Sequence, residues 1–322
     1  MSTLRVWSET LPLSTLSSPA TLRPLRERGL SLLAAVRPWD LDHVPALCRA
    51  ARDAGVPLGL WPMIEDEHGR WASAVNLDRF GAHVSSVRAA VPDDAPLHEL
   101  AVDLEPPFGL AAALGHGLRR RQRPPVTLPW TLHWREAVAR FDQLSASITS
   151  DGARTVAAAM PMVLLDPREG DGPWQRAMGT PVLARHWDHV SVMAYTSLFE
   201  GWSLRAFDRR AALGVLRWCC REAHARFGSR AGISLGAIGT GAFGTEPVYR
   251  DPYELREDVS LCRAEGVTDL TLFDLGGAVS RGPVERWLDA FVEGATHPPR
   301  AESRRASWAM GAGRVAASTF RW

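Results

Sequence analysis

Two carboxylates, Asp103 and Glu105, stand at the end of the apolar run Leu100-Ala101-Val102-Asp103-Leu104-Glu105, which the double proline Pro106-Pro107 stops. The run reads as a buried strand. Residues two apart on a strand share a face, which sets the acids about 7 Å apart along the backbone. Two neighbouring acids cannot both ionise without cost, so one is expected to keep its proton and be able to donate it. A proton donor beside a second carboxylate is the chemistry of glycosidic bond cleavage. A pair of solvated loop acids is the other reading of this segment taken alone.

The elements that must position these acids follow from periodicity. Strand-like runs fall at Leu4–Ser8, Ser31–Val36, Pro57–Pro62, Glu99–Asp103, Thr155–Ala159, His189–Ala194, Gly232–Ile238 and Asp269–Phe273. Helical patterns lie between them, among them Leu41–Ala54, Leu77–Ala90, Trp134–Thr149, Ala206–Phe227, Pro252–Glu265 and Pro283–Gly294. Gly55 and Gly266 stand where helix C-caps belong. Strands alternating with helices in this number predict an α/β fold, a single (β/α)8 TIM barrel over residues 1–295. An open doubly wound sheet is the alternative, but no Gly-x-Gly-x-x-Gly follows the first strand.

A barrel of this type carries its active site at the C-terminal strand ends. Those ends hold Glu9, the segment Arg37-Pro38-Trp39-Asp40, the segment Trp61-Pro62-Met63-Ile64-Glu65, the pair Asp103 and Glu105, Met193-Ala194-Tyr195, and Phe273-Asp274. Strand seven runs into Gly239-Thr240-Gly241 and meets no acid until Glu246. His98, His186 and His189 fall at the opposite rim, so a histidine-ligated metal site is not expected. Trp39, Trp61, Trp71, Trp130, Trp174 and Trp202 fall at or beyond strand ends or in loops, where aromatic faces can stack on sugar rings.

Asp103-Leu104-Glu105 on strand four and Met193-Ala194-Tyr195 on strand six resemble glycoside hydrolase family 18, the chitinases and their relatives. That family carries Asp-x-x-Asp-x-Asp-x-Glu on strand four and Met-x-Tyr on strand six. The resemblance implies that Glu105 is the general acid. It implies that Asp103 orients a substrate N-acetyl group as internal nucleophile, that Tyr195 supports that group, and that no cofactor is needed. The two earlier aspartates of the motif are replaced by His98 and Ala101, and strand eight ends in Phe273-Asp274 where the family usually has tryptophan. These departures point to a divergent relative with another glycan as substrate.

The expected function is therefore hydrolysis of a glycosidic bond in a carbohydrate or glycoconjugate, with Glu105, Asp103 and Tyr195 as catalytic residues. Glu9, Trp39, Trp61, Met193, Trp202 and Asp274 are the expected substrate-binding residues. A glycan-binding barrel without catalysis is one alternative, and a Mg²⁺-dependent phosphodiesterase or lyase using Glu9, Asp103, Glu105 and Asp274 is another.

Composition narrows the classes. The chain has 322 residues and a net charge of +1, which gives no global field for nucleic acid or membrane. It contains no lysine, which excludes Schiff-base aldolases, pyridoxal-phosphate enzymes and P-loop nucleotide hydrolases. Cys48, Cys219, Cys220 and Cys262 show no CxxC spacing, so buried reduced thiols are expected. Strand pattern starts by Leu4 with no signal-peptide pattern before it, and no apolar run reaches membrane-spanning length, so a cytoplasmic location is expected. Arg119-Arg120-Arg121-Gln122-Arg123 reads as an exposed basic loop. The Arg/Ser/Ala-rich segment 296–322 shows no clear period and is expected to be mobile.

Overall fold

The computed structural model describes residues 3–111, 134–149, 152–168, 172–182, 187–203 and 206–317. Eight parallel strands close into a barrel in chain order: β1 (Thr3–Ser8), β2 (Ser31–Val36), β3 (Leu58–Pro62), β4 (Glu99–Leu104), β5 (Arg154–Ala159), β6 (His189–Met193), β7 (Ala231–Gly236) and β8 (Asp269–Phe273). The seam is made by β8 beside β1, with Leu4 opposite Leu270. The fold is thus the single (β/α)8 barrel expected, and the strand bounds agree with the reading of the sequence to within two residues.

Helices cover the outside of the barrel with apolar stripes. Val44–Ala54 buries Val44, Leu47, Cys48 and Ala51, one face of a 3.6-residue repeat, and ends at Gly55 with φ +69°. The stretch before it, Pro38–His43, is a 3₁₀ helix rather than the start of that helix. Asp251 caps Pro252–Ala264 by accepting from the backbone N–H of Tyr253 and Glu254. The four cysteines are free and buried, with the sulfurs of Cys220 and Cys262 3.5 Å apart. Among the described residues no helix is long and apolar enough to cross a membrane.

The C-terminal segment departs from its reading as a stretch without period: Arg304–Ala317 is a helix. It packs on Arg209–Phe227 where Gly214 leaves room, since a Cβ there would come within 2.9 Å of the Ala306 methyl. Trp174 donates its indole N–H to Gly313 O at 3.3 Å, so this tryptophan faces the C-terminal helix and not the barrel mouth. Small residues Ala and Gly mask the period of this helix, because its contacts rely on close approach rather than on large apolar side chains. Arg119–Arg123, Trp130 and His186 lie outside the described residues.

Alternation along the strands divides the barrel interior into layers. At the N-terminal end Arg5 of β1 bonds Glu99 of β4 through Nε at 2.5 Å and Nη2 at 2.8 Å, and Asp269 of β8 through Nη1 at 2.5 Å. Above it lies an apolar layer with Trp7, Leu33, Trp61, Ala101 and Val156. Trp7 reaches across to Ser234 Oγ at 3.4 Å, and Ser234 bonds Ser191 at 2.8 Å. Beyond this layer, at or just after the strand ends, stand the mouth residues, among them Glu9, Asp103, Tyr195 and Phe273.

Candidate active site

Asp103 projects inward on β4, two residues above Ala101 of the apolar layer. It is 2% exposed, and among the described residues its Oδ1 has no hydrogen-bond partner. Burial, and then the charge of Glu105 and of Glu9, raises its carboxyl well above the usual range. Glu105 follows the strand end and is half-buried. Burial, with Glu9 adding repulsion and Arg70 opposing it, pushes Glu105 up to about 8. At neutral pH this pair therefore holds a proton that an isolated carboxylate would have lost.

Glu9, after β1, joins the same field. Burial raises it to about 7 despite the Arg70 guanidinium 2.7 Å from its Oε1. Asp274, after β8, is raised to about 6 by burial, although its carboxylate takes the backbone N–H of Gly277 at 2.9 Å and those of Gly276 and Glu9. Asp274 thus ties β8 to β1 and caps the helix Leu275–Arg281. Tyr195 stacks on Phe273 with ring centroids 5.5 Å apart. Burial, then the charges of Asp103, Glu105, Glu9 and Asp274, raises its phenol well above the usual range, which keeps it a hydrogen-bond donor. The mouth thus brings together Glu9, Asp103, Glu105, Tyr195 and Asp274.

The remaining expected binding residues are placed differently. Met193 is buried in the apolar layer beneath the acids. Trp61 is 4% exposed and packs on Trp7 at 4.6 Å between centroids, so it floors the mouth and does not present an open ring face. It was expected at the rim because it lies near the end of β3, but its inward parity places it one layer lower. Trp39 is 65% exposed on the 3₁₀ helix after β2, with the Arg37 guanidinium 4.9 Å over its ring. Trp202 is half-buried at the end of the helix Thr196–Trp202, which follows β6.

Two site residues were not singled out from the sequence. Arg70, in the loop after β3, bonds Glu9 and both oxygens of Asp66, and its charge acts on Asp103 and Glu105. It has φ +59°, a left-handed conformation that a non-glycine residue adopts at a cost. Glu246, the first acid after β7, accepts the N–H of Phe243 at 2.8 Å and of Thr245 at 2.9 Å, and its charge raises both Glu9 and Glu105. Nothing in local spacing marks Arg70; Glu246 carried the weak signal of being an acid downstream of a strand end. Among the described residues no three His, Cys, Asp or Glu side chains come together as a metal-ion site.

Arg70→Met is expected to raise Glu9 above its value of about 7, because the guanidinium is the largest influence lowering it. Carboxyl-carbon NMR titration of Glu9 in both proteins checks this, and an unmoved midpoint would show that the ion pair does not set the charge of Glu9.

Above the acids stand three aromatic rings. Phe108 and Phe243 stack with centroids 5.3 Å apart and planes 7° from parallel, and Trp71 meets both edge-on at 5.7 Å and 6.3 Å. Arg70 lies 4.6 Å over the Phe108 ring.

No family profile matches the sequence, and no curated protein matches it. Solved structures do match across nearly the whole chain. The glycoside hydrolase domain of PgaB (BpsB) from Bordetella bronchiseptica aligns with a TM-score of 0.55 at 13% identity, over 90% of this chain and 99% of that one. A chitinase from Rhizomucor miehei aligns with a TM-score of 0.53 at 11% identity, over 91% and 99%. A plant class V chitinase mutant from Cycas revoluta, solved in complex with (GlcNAc)3, aligns with a TM-score of 0.51 at 11% identity, over 90% and 99%. At these identities the likeness is one of fold: the chain shares the (β/α)8 barrel of these glycoside hydrolase structures.

Proposed function

We propose that this protein hydrolyses a glycosidic bond, with Glu105 protonating the departing oxygen. The observation that carries this reading is the pair of carboxyls at the end of β4. Glu105 is held as the acid up to a pH of about 8, beside Asp103 with an uncommitted oxygen. As the C–O bond breaks, the Glu105 proton passes to the leaving oxygen. Water then adds at the anomeric carbon and returns a proton to the carboxylate, so Glu105 acts first as acid and then as base.

Asp103 supplies the partner role, stabilising positive charge at the anomeric centre or, if the sugar carries an N-acetyl group, orienting that group for internal attack. Tyr195 donates its phenolic hydrogen to the reacting sugar, and Glu9 hydrogen-bonds a hydroxyl. The substrate is a carbohydrate or glycoconjugate. The chitinase-like barrel supports this reading, as does the gathering of these four residues with Asp274 at its mouth.

A pH profile on aryl glycosides tests the assignment. A group raised to about 8 is protonated below that pH, so kcat/KM is expected to be sustained through neutrality and to fall as pH rises through about 8. A rate that climbs through pH 8 would require Glu105 to act ionised from the start, and would remove it as the acid.

A further inference from the structure

The acids of the mouth lie beneath an aromatic roof. In the closed eight-strand order β3 and β7 are diametrically opposed. Trp71 belongs to the loop after β3 and Phe243 to the loop after β7, yet their ring centroids are 6.3 Å apart. The contact therefore spans the mouth, and Phe108 from the loop after β4 touches both rings, stacked on Phe243 and edge-on to Trp71. Under this roof the side chain of Glu9 is 6% exposed and Asp103 only 2%. Arg70 joins the rings to these carboxyls, since its guanidinium lies 4.6 Å over Phe108 and 2.7 Å from Glu9.

The three rings are not held alike. Trp71 is buried. Phe108 is fixed by its backbone N–H to Gly69 O at 3.1 Å and by the Arg70 guanidinium over its ring, and Arg70 is itself held by Glu9 and Asp66. Phe243 sits at the tip of its loop. The next two residues, Gly244 and Thr245, are exposed, and Gly244 has φ +66° with open space around it. The stem of that loop is anchored, because Gly239 approaches Gly277 so closely that a Cβ would lie 2.6 Å from its Cα. The tip is tied within its own loop, by the N–H groups of Phe243 and Thr245 to Glu246 and of Gly244 to Gly241 O, and its aromatic contacts across the mouth are those with Trp71 and Phe108, so Phe243 is the ring that can swing with its loop.

Resting on the hydrolase reading above, we propose that Phe243 is a gate occupying a sugar subsite: a pyranose ring of the glycan displaces it and stacks on Phe108. The C–H face of a pyranose is apolar and ring-sized, so it can replace the phenyl ring of Phe243 on the face of Phe108 that Phe243 covers. Glu246, whose Oε1 accepts the Phe243 N–H, moves with the gate, so entry of the sugar also resets the charge felt by Glu105.

The two partners of one stack then have opposite effects on affinity. Phe108→Ala removes the platform and weakens binding. Phe243→Ala removes the competitor and strengthens it, each by about three- to tenfold, the range of one aromatic contact. Calorimetric titration with the N-acetylglucosamine tetramer, done in a Glu105→Gln background so that turnover plays no part, reads the sign directly. Phe108→Leu and Phe243→Leu repeat the comparison with less loss of packing, and thermal unfolding confirms that each variant is folded.

Opposite signs establish the gate. Equal signs, no change, or failure of the tetramer to bind even the Phe243→Ala protein would overturn it. Opposite signs with no turnover of the tetramer or of aryl glycosides by the wild type would sustain the gate and remove the hydrolase assignment, so the two failures are distinct.

Discussion

Glu105→Gln is expected to lower turnover of glycosides with poor leaving groups by about 10²–10⁴-fold, the range that a positioned general acid contributes. The amide preserves shape and volume at the end of β4 but has no proton to give. Glycosides whose aglycone leaves readily as an anion need less protonation and should lose much less. Binding should change little, because the substitution replaces one polar group of the mouth by another of similar size. The variant also separates site from fold. Burial raises Glu105 to about 8, so the native state binds a proton that the unfolded chain releases between roughly pH 4.5 and 8, and stability declines as pH rises across that window. Removing the ionisable group should therefore make the protein more resistant to unfolding at pH 8, with the advantage vanishing below about pH 4.5. Lower activity together with higher stability at pH 8 is the combination expected of a functional acid. Unchanged turnover on a substrate with a poor leaving group would end the case for Glu105.

The barrel and the β4 acids were legible because both depend on period alone. Leu100, Val102 and Leu104 pack under the helices while Ala101 and Asp103 face the interior, so one alternation gives the strand, its inner face and the acid pair. Residues placed by loop conformation left no such trace. Arg70 reaches Glu9 from a left-handed backbone position in the loop after β3, 61 residues away in sequence, and Glu246 arrives by a glycine-bracketed loop. The aromatic roof was beyond reach for the same reason, since Trp71, Phe108 and Phe243 meet only because three loops from two sides of the barrel converge. Trp61 shows a subtler failure. Proximity to a strand end suggested the rim, but depth in a barrel is set by how strands are staggered, and its ring lies beside Trp7.

Arg5→Met is expected to cost about 3–5 kcal/mol of stability, the usual penalty for removing one member of a buried ion cluster. Arg5 is fully buried and satisfies Glu99 and Asp269 together. Without it, the ion-pair partners left among the described residues are the partly exposed Arg154 at 3.0 Å for Glu99 and His189 at 3.1 Å for Asp269. Methionine matches much of the lost volume, so the loss is electrostatic and should depend on pH. Burial works against ionised Asp269, but the contacts from His189 and Arg5 outweigh it and hold this carboxyl below the usual range. A depressed carboxyl contributes stability above its unfolded value near 3.8 and loses it as pH falls through the folded value. The gap between wild type and variant in urea unfolding should accordingly be widest near neutrality and close in acid. A gap independent of pH would assign the loss to packing. The contrast with the mouth explains why one barrel treats its carboxyls in two ways. At the N-terminal end Asp269 meets Arg5 and His189 and is held below its usual range, whereas one apolar layer higher Asp103 and Glu105 stand together with Arg70 engaged by Glu9 and Asp66, and the pair keeps a proton.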